Sequence, residues 1–139
     1  MTGRHLRTPL QETLIALVLI GVTGCGRDGP VRYDVDGTLR FDGRPIPAGL
    51  IHFDPDTSQG NDGPQGFAFI KDGRYDTRLN GKGSVGGPHI ARISAFDGVN
   101  PTDDAPFGRL FFASYSTSVD LPGEDETFDF DVPASAAAR

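Results

Sequence analysis

The chain of 139 residues has a single cysteine, Cys25, so no disulfide can close within it. It lacks any apolar run of the roughly 20 residues that a membrane-spanning helix needs. The longest apolar stretch, residues 14–22, is broken only by Gly21 and stops well short of that length. Positive charge is in the minority, with 13 Lys and Arg against 19 Asp and Glu. That balance disfavours nucleic acid as a partner and any direct attraction of the folded part to anionic lipid. Beyond Cys25 no segment repeats apolar residues at helical spacing. The glycine-rich run 80–88 has no Gly-Lys-Ser/Thr ending and no helix pattern after it, which excludes a phosphate cradle. No Gly-x-Ser-x-Gly is present, so the chain has no nucleophile elbow.

What is present begins at the N-terminus. Arg4, His5 and Arg7 precede the apolar stretch, and the small residues Thr23 and Gly24 lead directly into Cys25. This is the layout of a secretory signal peptide over residues 1–24. The cysteine after the small residues resembles the lipobox of bacterial lipoproteins. That resemblance implies an acylated Cys25, cleavage just before it, and a protein exported and anchored to a cell-envelope membrane through N-terminal lipid. The alternative is an ordinary secretory signal with a chance cysteine. Without residues 1–24 the chain has 115 residues and a net charge of −7, enough for one domain with an acidic surface.

Residues 25–32 read as a polar tether. From residue 33 the alternation is regular: Tyr33, Val35, Leu39 and Phe41 share one face, with Gly37 among them, while Asp34, Asp36, Thr38 and Arg40 share the other. Such period-two patterning predicts a half-buried strand. Further strands are expected at 50–53, 66–71, 74–79, 89–96, 110–121 and 128–132, with 133–139 as a frayed tail. Asp42-Gly43 and Asp72-Gly73 signal tight hairpin turns, and Pro45 and Pro47 keep the connection between them extended. The 19 glycines and 11 prolines fall between apolar runs and act as turn punctuation. The expectation is an all-β domain over 33–132, a Greek-key β-sandwich of about seven strands. Its core should include Leu39, Phe41, Ile51, Phe53, Ile93, Phe128 and Phe130.

Residues 35–55, VDGTLRFDGRPIPAGLIHFDP, resemble the start of carboxypeptidase-regulatory-like domains. The shared features are a strand carrying a glycine, an Asp-Gly-x-Pro turn and a strand ending in Phe-Asp-Pro. Residues 70–75, IKDGRY, are similar to the hairpin of the same family, and 86–93, GGPHIARI, to the strand after it. Residues 113–121 and 128–132 are similar to the end of small envelope lipoproteins carrying this domain. The resemblance implies a transthyretin-like (prealbumin-like) sandwich. It implies no catalytic residues.

Two sets of residues could carry chemistry. Asp54, Asp56 and Asp62, with Asn61, crowd one loop; Asp97, Asp103 and Asp104 crowd another. Calcium takes six to eight oxygens, often from such loops, so these aspartates are candidate ligands of a weak calcium site. Asp54-x-Asp56 nevertheless lacks the glycine and closing glutamate of an EF-hand. His52 and His89 with loop aspartates are the only candidates for a hydrolase or metal-dependent enzyme, and neither histidine has a second ligand at turn spacing. Exposed aromatics, Phe67 with Phe69 or Phe111 with Phe112, could stack on sugars; adjacent Phe111 and Phe112 must face opposite ways if both lie in a strand. The reading is a non-catalytic binding or structural module, without a cofactor beyond such calcium. Its partner would be an envelope protein or a glycan.

Overall fold

In the computed structural model, which describes residues 29–138, the regular structure is chiefly strand, with helix only in short turns. The expected signal segment, Cys25 and the start of the expected tether lie outside the described residues. In chain order the strands are β1 (Val35–Phe41), β2 (Arg44–Pro45), β3 (Ala48–Pro55), β4 (Gly66–Lys71) and β5 (Arg74–Asp76). They continue with β6 (Gly81–Lys82), β7 (Gly87–Phe96), β8 (Leu110–Leu121), β9 (Glu126–Thr127) and β10 (Phe130–Val132). Hydrogen bonding runs in the order β10-β1-β5-β4-β3-β7-β8, with β2 and β9 beside β1 and β6 beside β4. Pairing is antiparallel except where β1 meets β9 and β10. The all-β expectation is met, and no helix among the described residues is long and apolar enough to cross a membrane.

Alternation decides which face is buried. Ile51 and Phe53 on β3 lie opposite Ala68 on β4 and Ile93 and Ala91 on β7, and all five are fully buried. The sheet then curls around them. Phe53 lies 6.0 Å from Tyr75 of β5 and 6.4 Å from Phe130 of β10, ring centre to ring centre. Phe41 of β1 meets Phe112 of β8 at 5.4 Å, although four strands separate β1 from β8 in the bonded order. The concave face has closed on itself.

Leu39, Ile51, Phe53, Ile93 and Phe130 are buried as expected, while Phe41 and Phe128 are only half-buried. Phe41 sits at the rim between Phe111 and Phe112. Phe128 lies outside any strand, in the step between β9 and β10, which the alternation of residues 128–132 hides. Its N–H donates to the Asp36 carbonyl (2.8 Å), and its carbonyl accepts from the Tyr75 hydroxyl (2.6 Å). That carbonyl occupies the place a Cβ would take at Gly37, so the strand needs glycine there. Ile46 is fully buried: its N–H donates to the Leu39 carbonyl (3.0 Å) and its carbonyl accepts from the Gly73 N–H (2.7 Å). Residues 74–79 are not one strand. β5 ends at Asp76, whose carboxylate accepts from the Arg78 N–H (2.8 Å) and starts the single helical turn α1 (Thr77–Asn80). Residues 134–138 form a turn of 3-10 helix with Ala136 against the core, where the composition suggested a frayed end.

Both Asp-Gly turns have positive φ at both central residues: Asp42 (49°) with Gly43 (73°), and Asp72 (51°) with Gly73 (73°). This is the type I′ geometry that matches strand twist.

Candidate functional site

The outer face of the β4–β3–β7 region is laid out in cross-strand rows. Phe69, Leu50 and Ser94 form one row, and Phe67, His52 and Arg92 the next. Asp54 follows on β3, opposite Ile90. Each of these residues alternates with a buried neighbour, so the registry that packs the core also aligns this surface.

Polar side chains at one end of the rows are joined. Arg92 donates to Asp54, and Gln65 donates to the other Asp54 oxygen. The Gln65 carbonyl oxygen lies 3.0 Å from His52 Nδ1. Burial works against the Asp54 charge, but the bonds from Arg92 and Gln65 hold its carboxyl below the usual range. At the other end the loop 97–109 folds back over the sheet. Phe107 lies 5.4 Å from Phe96 and 5.8 Å from Phe69, bridging β7 and β4 above β3. Phe69 in turn meets Phe67 edge-to-face at 6.0 Å. The loop is tied by its own backbone: Gly98 N–H donates to the Phe107 carbonyl, and the Asp97 carboxylate accepts from the N–H groups of Val99 (2.9 Å) and Arg109 (2.8 Å). These bonds pull the Asp97 carboxyl below its ordinary range.

The candidate calcium ligands are distributed differently from their sequence order. Asp56 caps a 3-10 turn at Thr57–Gln59. Its oxygens accept from Gln59 Nε2 (2.7 Å), the Ser58 hydroxyl (2.6 Å) and the Ser58 N–H (3.0 Å), which lower its pKa. Asn61 donates to the Gly86 and Pro88 carbonyls and so fastens the loop to β7. Asp54 faces Arg92 instead, and Asp62, Asp103 and Asp104 are exposed. Among the described residues no group of three or more His, Cys, Asp or Glu is placed to hold a metal ion.

The two histidines among the described residues lie on opposite faces of the sheet. His52 is paired across from Arg92 on the outer side, whereas His89 is paired across from Pro55 on the inner side and is fully buried. Its Nδ1 lies 2.8 Å from the Gly87 carbonyl oxygen, and its Nε2 is enclosed without a partner. Of the two adjacent phenylalanines, Phe112 is buried and Phe111 is 43% exposed.

Sequence reasoning missed Gln65, Arg92 and Phe107. Arg92 becomes visible only through the β3–β7 register. Phe107 carries one local signal, a lone aromatic in a polar loop just before a glycine that adopts φ 81°.

No family model matches this chain, and a search of curated proteins finds no match to it.

Proposed function

We propose that this protein is a lipid-anchored cell-envelope protein whose single domain, a transthyretin-like Greek-key sandwich, binds a ligand without catalysis. Cys25 carries the lipid after export. The observation that carries the binding reading is the outer face of the sheet. There the half-exposed rings of Phe67 and Phe69 sit beside the joined side chains of His52, Gln65, Asp54 and Arg92. A glycan strand is the ligand this surface fits. Sugar rings present C–H faces that pack on aromatic rings, and hydroxyls at their edges take up donors and acceptors such as the Arg92 guanidinium and the second His52 nitrogen. The placement of His52 and His89 on opposite faces favours this reading over a hydrolase or metal-dependent enzyme built on the pair.

The test has two parts. Full-length protein should sediment with membranes and the Cys25→Ser variant should not; continued sedimentation of that variant would sink the anchor. In native gels cast with soluble envelope polysaccharide, the Cys25→Ser domain should be retarded. The additional change Phe67→Ala with Phe69→Ala should remove the retardation. Unchanged migration of the Cys25→Ser domain would remove the glycan, leaving an envelope protein as the competing partner.

A further inference from the structure

A second apolar surface lies at the other end of β1 from the tether, roughly 20 Å along the strand at about 3.3 Å per residue. It is a cleft of about 460 Å³ between the segment 44–47, the start of β8 and the C-terminal turn. Phe41 and Phe111 pack side by side along it at 6.5 Å, Pro47 and Leu110 complete its walls, and the buried Ile46 lies beneath. Its volume lies within the range of small-molecule sites. Leu110 and Phe111 leave 48% and 43% of their surface exposed here, beside the buried Phe112.

Arg44 is the one charged residue lining the cleft, and it takes part in no ion pair among the described residues. Arg78, Arg92 and Arg109 have carboxylate partners, whereas Arg32, Arg40 and Arg74, like Arg44, have none among the described residues; what sets Arg44 apart is its place in the cleft. Two acidic side chains come near this segment: Asp42, exposed at the hairpin tip, and Asp131, which β10 brings there and whose carboxylate accepts from the Gly43 N–H (3.2 Å). Neither lines the cleft.

From the apolar walls and the single cation at the lip, we propose that this cleft binds a free amphiphile with one apolar chain and one anionic head, of the fatty-acid class. The chain lies against Phe41, Pro47, Leu110 and Phe111, and the head meets the Arg44 guanidinium. Each methylene removed from water contributes about 0.8 kcal/mol, and the charge selects the head.

The experiment uses the Cys25→Ser protein, so that no acyl chain of its own competes. Calorimetric titration with dodecanoate below its micelle concentration should give saturable binding, roughly tenfold or more tighter than dodecyltrimethylammonium. Arg44→Gln should abolish that preference while leaving the melting temperature unchanged. Phe111→Ser, at an exposed position, should weaken both amphiphiles. Equal affinity for the two heads, no binding of either, or an Arg44→Gln variant with its preference intact would overturn the proposal. Binding to phosphatidylglycerol vesicles without binding of monomeric dodecanoate would also overturn it, because the site would then be a membrane-contact surface.

Discussion

Gly43 and Gly73 occupy equivalent positions in two type I′ turns, yet their surroundings differ. Nothing approaches the place of a Cβ at Gly43, whereas at Gly73 a Cβ would lie 2.6 Å from the Cβ of Pro45. Left-handed φ alone costs a side chain about 1 kcal/mol. Gly73→Ala should therefore lower the midpoint of chemical unfolding distinctly more than Gly43→Ala. Gly60 also sits at φ 78° with open space around it, so Gly60→Ala should resemble Gly43→Ala; the length of its loop gives it no exemption. Acid acts on a different set of residues. Asp54, Asp97 and Asp129 each titrate lower in the folded chain than when unfolded. Asp129 does so because the N–H and hydroxyl of Thr38 bond to it. Their contribution is present above the unfolded carboxylate range near pH 4 and is lost as pH falls through the lower folded values. The melting temperature should fall below about pH 4. Asp97→Asn should be less stable than the native protein at pH 7, with the gap closing in acid. A gap that widens in acid would contradict this assignment.

At the scale of elements, the loop 97–109 is held to the sheet by one aromatic side chain, Phe107, while its backbone bonds tie the loop to itself. Phe107→Ala should free the loop from the outer face while leaving the core intact. The expected result is faster amide exchange across residues 98–108, with a stability loss of about 1–2 kcal/mol for two aromatic contacts. Slowed β3 exchange or an unchanged loop would mean that Phe107 is incidental. The same loop marks the limit of what the sequence revealed. Strands β1, β4, β7 and β8 were legible because alternation or an apolar run extends over six residues or more, whereas of β3 only residues 50–53 were legible. β2, β6 and β9 have two residues each and leave no periodic trace. The buried Ile46 was masked by the prolines flanking it. Asp54 and Asp56 looked alike in sequence, but they diverge in space because one points across the sheet and the other caps its own loop. Clustering along the chain is a poor guide to convergence where a tight turn separates the residues.

For the whole molecule, closure rests on the triangle of Phe53, Tyr75 and Phe130, with ring centres 6.0 to 6.4 Å apart. These side chains come from β3, β5 and β10, no two of which are neighbours in the bonded order. Phe53→Ala should cost roughly 3–5 kcal/mol as cavity and transfer terms combine. Tyr75→Phe should cost about 1 kcal/mol, for the hydrogen bond to the Phe128 carbonyl alone. Denaturant titration of the Cys25→Ser protein would distinguish the two. A smaller loss for Phe53→Ala than for Tyr75→Phe would mean that the triangle does not close the sheet.

The pairing of β1 with β9 and β10 has a bearing on synthesis. β1 is among the first segments of the domain to be made, and its partners on one side are among the last. Until residues 126–132 exist, β1 has a bare edge, the Tyr75 hydroxyl has no carbonyl to meet, and Phe53 lacks one wall of its pocket. Such a chain cannot mature in stages from its N-terminus. A product ending before residue 126 would present open backbone and apolar surface together, the signature by which quality-control proteases distinguish unfinished chains from finished ones.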